Sequence, residues 1–208
     1  TPLAALKIQA QVAKAAKTND EKLPAINNII AGVDRATHLV QQMLVLARLS
    51  SEDKKNINPI NIHKTAEELI AQLALRAIEK NINLSFHCKN NYIIYGETAN
   101  FEILLANILN NAINYTPNNG SVVVEINDSE NNINLNVTDT GIGIKEKDLD
   151  RVFERYYRVR DAVADGCGLG LTISKQCAEQ LNAMIKFIKP KNGVGLTVNI
   201  SFPKQYPI

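Results

Sequence analysis

The 208 residues are 45% hydrophobic and carry 23 basic against 21 acidic side chains, enough to bury one ordinary core beside a smaller helical element. A formal charge of +2 gives no electrostatic ground for a nucleic-acid partner, and no apolar run approaches the roughly 20 residues of a membrane-spanning helix. Cys88, Cys167 and Cys177 are an odd set without Cys-x-x-Cys spacing, which argues against a disulfide framework or a zinc site and fits a reducing cytosol.

From Pro2 to about Lys17 the chain is rich in Ala, Leu, Lys and Gln, and Leu3, Leu6 and Ala10 at helical spacing predict an amphipathic helix. Thr18-Asn19-Asp20 reads as a break. A second helix is predicted from about Pro24 to Leu49, where Ile26, Val33, Val40 and Ala47 recur with Ala36 and Met43 between them as an a/d seam. Two helices joined by a short turn make a hairpin whose seam is half exposed. A second copy can cover it as a four-helix bundle, or this chain's own second domain can; we expect a homodimer through residues 1–49.

Ser50 to Asn58 is polar and ends in Asn58-Pro59, which divides the chain into a helical hairpin over 1–52 and a mixed domain over 53–208. In the second part, Ile60 to His63 reads as a strand, Lys64 to Lys80 as a helix, Ile82 to Cys88 as a strand and Thr98 to Asn114 as a helix. Ser121 to Asn127 and Asn132 to Asp139 are predicted strands, and Lys145 to Val152 a short helix. Leu169 to Leu181 is a further helix, and Ala183 to Lys189 and Gly195 to Phe202 are the last strands. This order predicts an α+β two-layer sandwich with helices on one face of a largely antiparallel sheet.

Three stretches carry chemistry. Asp139-Thr140-Gly141-Ile142-Gly143 stands where a strand ends: the glycines let a flat ligand approach the backbone, and the carboxylate can accept from an exocyclic amine such as that of adenine. A tight turn with a capping aspartate has the same spacing. Gly166-Cys167-Gly168-Leu169-Gly170 runs into a helix, so its backbone N–H groups form an anion site, unless the glycines are a plain hinge. Phe153, Arg155, Tyr156, Arg158 and Arg160 precede it as an aromatic anchor and basic loop with the composition of a lid, or of a solvated basic loop. Asn107 and Asn111, four apart, share one helix face; amides on an apolar helix need partners, and amide oxygens suit Mg²⁺.

In order and spacing these stretches resemble the sensor histidine kinases of two-component systems, whose ATP-binding domain has the Bergerat (GHKL) fold. Asn107 to Tyr115 is similar to the N box, Asp139 to Gly143 to the first glycine box, Phe153 to the F box and Gly166 to Gly170 to the second glycine box. Gly193-Val194-Gly195-Leu196-Thr197 is similar to the terminal glycine pair, and residues 1–49 to the dimerisation and histidine-phosphotransfer hairpin. The resemblance implies that Asp139 binds the adenine amine, that Asn111 ligates Mg²⁺ with help from Asn107, and that Asn107 is the catalytic position. It further implies an ATP site lined by Tyr115, Gly141, Gly143, Phe153, Arg158, Gly166, Gly168, Leu169, Gly170 and Thr197. In hydrolytic relatives of this fold a glutamate at position 107 activates water; an amide cannot take that proton, which favours a protein acceptor. At Asn114 the family commonly has a lysine or arginine.

The family's acceptor lies in a His-Glu-x-x-Thr/Ser-Pro-Leu motif, and this chain begins Thr1-Pro2-Leu3, so the acceptor is expected four positions before Thr1. His38, His63 and His87 lack its setting. The resemblance thus implies a piece of a bacterial inner-membrane sensor kinase that passes phosphate on to a response-regulator receiver domain. The piece itself is expected in the cytoplasm, binding ATP without autophosphorylating.

Overall fold

Residues 2–49, 56–158, 167–190 and 193–204 are described by the computed structural model of the chain, which divides into two units, Thr1–Ser51 and Glu52–Ile208. The first unit consists of α1 (Pro2–Ala15) and α2 (Asn19–Leu49) packed on each other. The second helix begins at Asn19, ahead of the Pro24 start expected from the sequence, because its first turn is capped. Thr18 Oγ1 accepts from the Glu21 N–H (3.3 Å), and the Glu21 carboxylate accepts from the Lys17 N–H (3.0 Å). Asp20 and Glu21 also sit where the helix dipole favours negative charge, so the one hydrogen bond lost at Pro24 does not stop the helix.

The two helices pack closely at Gly32, where a Cβ would lie 2.5 Å from the tip of Leu6. Ala25, Gln42 and Leu46 are buried in the unit, whereas Ile30, Val33, Val40 and Leu44 remain 47% to 65% exposed. The hairpin therefore leaves part of its apolar surface uncovered by its own helices.

The second unit runs β1 (Asn58–Asn61), α3 (Ile62–Glu79), β2 (Asn83–Cys88), β3 (Ile93–Gly96), α4 (Thr98–Tyr115), β4 (Ser121–Asp128), β5 (Asn132–Asp139), α5 (Gly170–Gln180), β6 (Met184–Ile188) and β7 (Leu196–Pro203). Five strands form one sheet in the order β2-β4-β5-β7-β6, antiparallel except for the parallel β2–β4 pair. Strict alternation gives the sheet two unlike faces. Val122, Val124, Ile126, Ile133, Leu135, Val137, Val198, Ile200 and Phe202 are buried on one face. The other is polar, with Asn136 accepting a side-chain hydrogen bond from Asn199 (2.8 Å) and the Thr138 and Thr197 hydroxyls bonded at 2.9 Å.

Helices α3, α4 and α5 complete the sandwich, and α4 supplies its centre through the fully buried Phe101, Leu104, Leu105, Ile108 and Leu109. Each such side chain stabilises the fold by about 1.5–3 kcal/mol through burial alone. The Phe101 and Phe202 rings tie α4 to β7, with centroids 6.0 Å apart.

Three local expectations change. His63 is helical, not in a strand: β1 ends at Asn61, whose Oδ1 accepts from the Lys64 N–H (3.1 Å) and caps α3. The predicted short helix over 145–152 contracts to a 3-10 turn at Glu146–Asp148. Strand β3, which the sequence did not announce, pairs antiparallel with β1 in a separate two-stranded ribbon.

Candidate nucleotide site

Asp139 is the last residue of β5 and points into the buried face of the sheet, in step with Leu135 and Val137, at 6% exposure. Its Oδ1 accepts from the Gly141 N–H (2.8 Å), and the Leu196 N–H also donates to the carboxylate. Burial nonetheless pushes the carboxyl above the usual carboxylate range, with those two backbone donors pulling the other way. A desolvated carboxylate at the end of a strand is a strong acceptor for a ligand donor that reaches it.

The glycines around Asp139 are required by close backbone approach. A Cβ on Gly141 would lie 2.6 Å from the Tyr115 carbonyl oxygen, so the C-terminal end of α4 rests against the turn after β5. Gly143 has φ +66°, and a Cβ there would lie 2.9 Å from the Gly195 carbonyl oxygen. Gly195, at φ +85°, could not carry a Cβ without overlapping the Asp139 carbonyl. The first and terminal glycine motifs are thus one structural unit around Asp139. Although its motif was recognised, Gly195 itself was absent from the expected site residues.

Asn107 and Asn111 stand on the same helix. A Cβ on Gly170 would lie 3.7 Å from Asn107 Oδ1, which places the Asn107 amide beside the first turn of α5. Asn107 Nδ2 is buried and has no hydrogen-bond partner among the described residues. Such an orphaned donor costs about 1–3 kcal/mol and is expected where a ligand completes the site. Asn111 is half-buried one turn later.

The remaining expected residues have the following surroundings. The Thr197 side chain is on the polar face of the sheet, bonded to Thr138, because register pairs Leu196 with Asp139 and sends Thr197 to the opposite side. Phe153 stacks on Phe187 of β6 at 5.1 Å, and its carbonyl accepts from Thr172 Oγ1 (2.9 Å); it anchors the segment before α5 against the sheet edge. Leu169 is fully buried at the start of α5. Gly168, at φ +73°, accepts through its carbonyl from the Tyr156 N–H (2.9 Å), tying the two ends of the expected lid together. Arg158 is exposed, and Gly166 lies outside the described residues.

A sheet backed by three helices, with a buried aspartate, a glycine-lined turn and two asparagines on the facing helix, defines an ATPase-type nucleotide-binding class. The chain belongs to the histidine kinase-, DNA gyrase B-, and HSP90-like ATPase family, which matches residues 96–206. It is 32% identical to the sensor protein kinase PmrB of Pseudomonas aeruginosa over all of this chain and 44% of that protein. The chain spans about half the length of the curated relatives it matches. Among solved structures, the histidine kinase ThkA in complex with the response regulator TrrA superposes with a TM-score of 0.80 at 18% identity, over 99% of this chain and 58% of that one. Full-length ShkA in complex with AMPPNP gives 0.74 at 21% identity, over 97% and 42%. These likenesses establish a helical part followed by the GHKL ATPase fold.

Proposed function

We propose that the chain is the dimerising and ATP-binding part of a sensor histidine kinase that works in two-component signalling. The observation that carries this reading is the buried, unpartnered Asn107 Nδ2 beside the first turn of α5, on the helix whose end meets Gly141 next to Asp139. Asp139 accepts from the adenine amine, the turn at Gly141 and Gly143 admits the flat ring, and the N–H groups where residues 168–170 enter α5 hold phosphate. The donor set fits Mg²⁺: Asn111 and Asn107 offer hard amide oxygens, and phosphates and water complete the shell. When bound, the ion neutralises phosphate charge.

An amide at 107 orients but cannot deprotonate water, so the γ-phosphoryl group goes to a protein acceptor rather than to solvent. That acceptor is a histidine other than the three present. The His38 ring is engaged with Gln42 (3.0 Å), and the His63 ring is bonded to Asn91 (3.1 Å) and packed on Phe86. The phosphoryl group then passes to an aspartate on a receiver domain, a partner supported by the ThkA–TrrA complex.

The uncovered apolar face of α2 meets a second copy, giving a homodimer through residues 1–49. A bacterial inner-membrane sensor is the whole protein; among the described residues no helix is long and apolar enough to cross a membrane. Titration with a fluorescent ATP analogue and Mg²⁺ tests the site. Wild type binds, and Asp139→Ala binds at least about tenfold more weakly. Absent binding, or equal binding by the variant, refutes the reading.

A further inference from the structure

We propose that Arg76, on α3, is a phosphate-binding residue of the nucleotide site and supplies the positive charge that α4 lacks. The inference rests on the nucleotide-site reading above. Asn107, Asn110, Asn111 and Asn114 fall within about 100° of arc on α4, so one polar stripe runs down its largely apolar C-terminal half. No residue of α4 is basic, although Asn107 at the head of the stripe stands beside the first turn of α5, the place assigned to a polyanionic tail.

Arg76 reaches that stripe from the neighbouring helix. Its Nη2 donates to Asn114 Oδ1 (3.1 Å) and its Nη1 to Asn110 Oδ1. The Asn110 amide is itself oriented by donating from Nδ2 to the Ala106 carbonyl (2.8 Å). Arg76 is exposed and has no carboxylate partner among the described residues. Neutral amides hold the guanidinium without cancelling its charge, and its remaining donors in the planar fork suit phosphate oxygens. Asn114 lies about 4.5 Å along the helix axis beyond Asn111, a distance the long arginine side chain can cover.

Lys80, the other nearby cation, is committed elsewhere. Its Nζ donates to the Ile113, Asn114 and Thr116 carbonyls at 2.7, 3.0 and 2.8 Å, capping the end of α4. All three Lys80 ammonium donors are thereby used, whereas Arg76 keeps N–H donors for a ligand. The competing explanation is a clamp that merely ties α3 to α4.

Calorimetric titration of wild type, Arg76→Gln and Arg76→Gln/Asn114→Lys with Mg²⁺-ATP and with adenosine separates the two. The proposal expects Arg76→Gln to weaken ATP about tenfold, leave adenosine affinity and the unliganded melting temperature unchanged, and regain ATP affinity when Asn114→Lys is added. Equal weakening of ATP and adenosine with a lower melting temperature identifies a clamp and overturns the proposal. Unchanged ATP affinity in Arg76→Gln overturns it while leaving the nucleotide site standing, whereas a wild type that binds no ATP overturns both.

Discussion

Asp139→Asn separates the cost of the buried carboxylate from its use. The substitution keeps the side-chain volume and an oxygen that can accept from the backbone donors Gly141, now 2.8 Å away, and Leu196, but removes the charge. For the ligand, one charge-assisted hydrogen bond from the adenine amine is lost or becomes neutral. That is worth about 1.5–3 kcal/mol, so ATP should bind about tenfold to a hundredfold more weakly. For folding the sign is opposite. Burial raises the Asp139 carboxyl above its unfolded value, so its contribution to stability is fully present below the unfolded value and is lost as pH rises through the raised one. At neutral pH the buried carboxyl therefore contributes less than it does in acid, and the asparagine removes that pH-dependent loss. Unliganded Asp139→Asn should melt above wild type at neutral pH, with the gap closing as pH falls from the raised value to the ordinary 3.8. Scanning calorimetry of the unliganded protein across pH, beside titration with a fluorescent ATP analogue, reads both effects. A variant that melts lower at neutral pH, or that binds ATP as wild type does, refutes the reasoning.

Asn107→Glu should raise steady-state ATP hydrolysis, measured as phosphate release, because a carboxylate beside the first turn of α5 can take a proton from water; unchanged or lower turnover counts against the assigned role. Gly195→Ala should destabilise the second unit by about 1–3 kcal/mol in urea titration, since φ is +85° and the new methyl overlaps the Asp139 carbonyl. Val33→Lys with Val40→Lys places two charges on the uncovered face of α2 and should convert dimer to monomer in sedimentation at micromolar concentration, with helix content by circular dichroism retained. A wild type that sediments only as monomer refutes the dimer.

Local chemistry made much of the protein readable from its residues in order. Seven-residue apolar recurrence marked α2, strict alternation marked β5, and glycines beside Asp139 marked the turn that follows β5, because these signals act within a few residues of each other. The capping interaction of Glu21 with Thr18 and Lys17 is equally local; it was hidden by Pro24, a strong helix breaker placed close enough to the start to be tolerated.

What only the tertiary structure decided depends on segments far apart in the chain. Register between β5 and β7 sends Thr197 to the polar face and brings Gly195 against Asp139, and a shift of one residue would reverse both. Strand β3 exists through its pairing with β1, and Phe153 finds its partner on β6. The asparagine pair on α4 was legible as a pair. That Asn107 Nδ2 lacks a partner among the described residues, and that Arg76 crosses from α3 to the same stripe, follows only from how the helices pack, since burial and charge placement are properties of the folded neighbourhood.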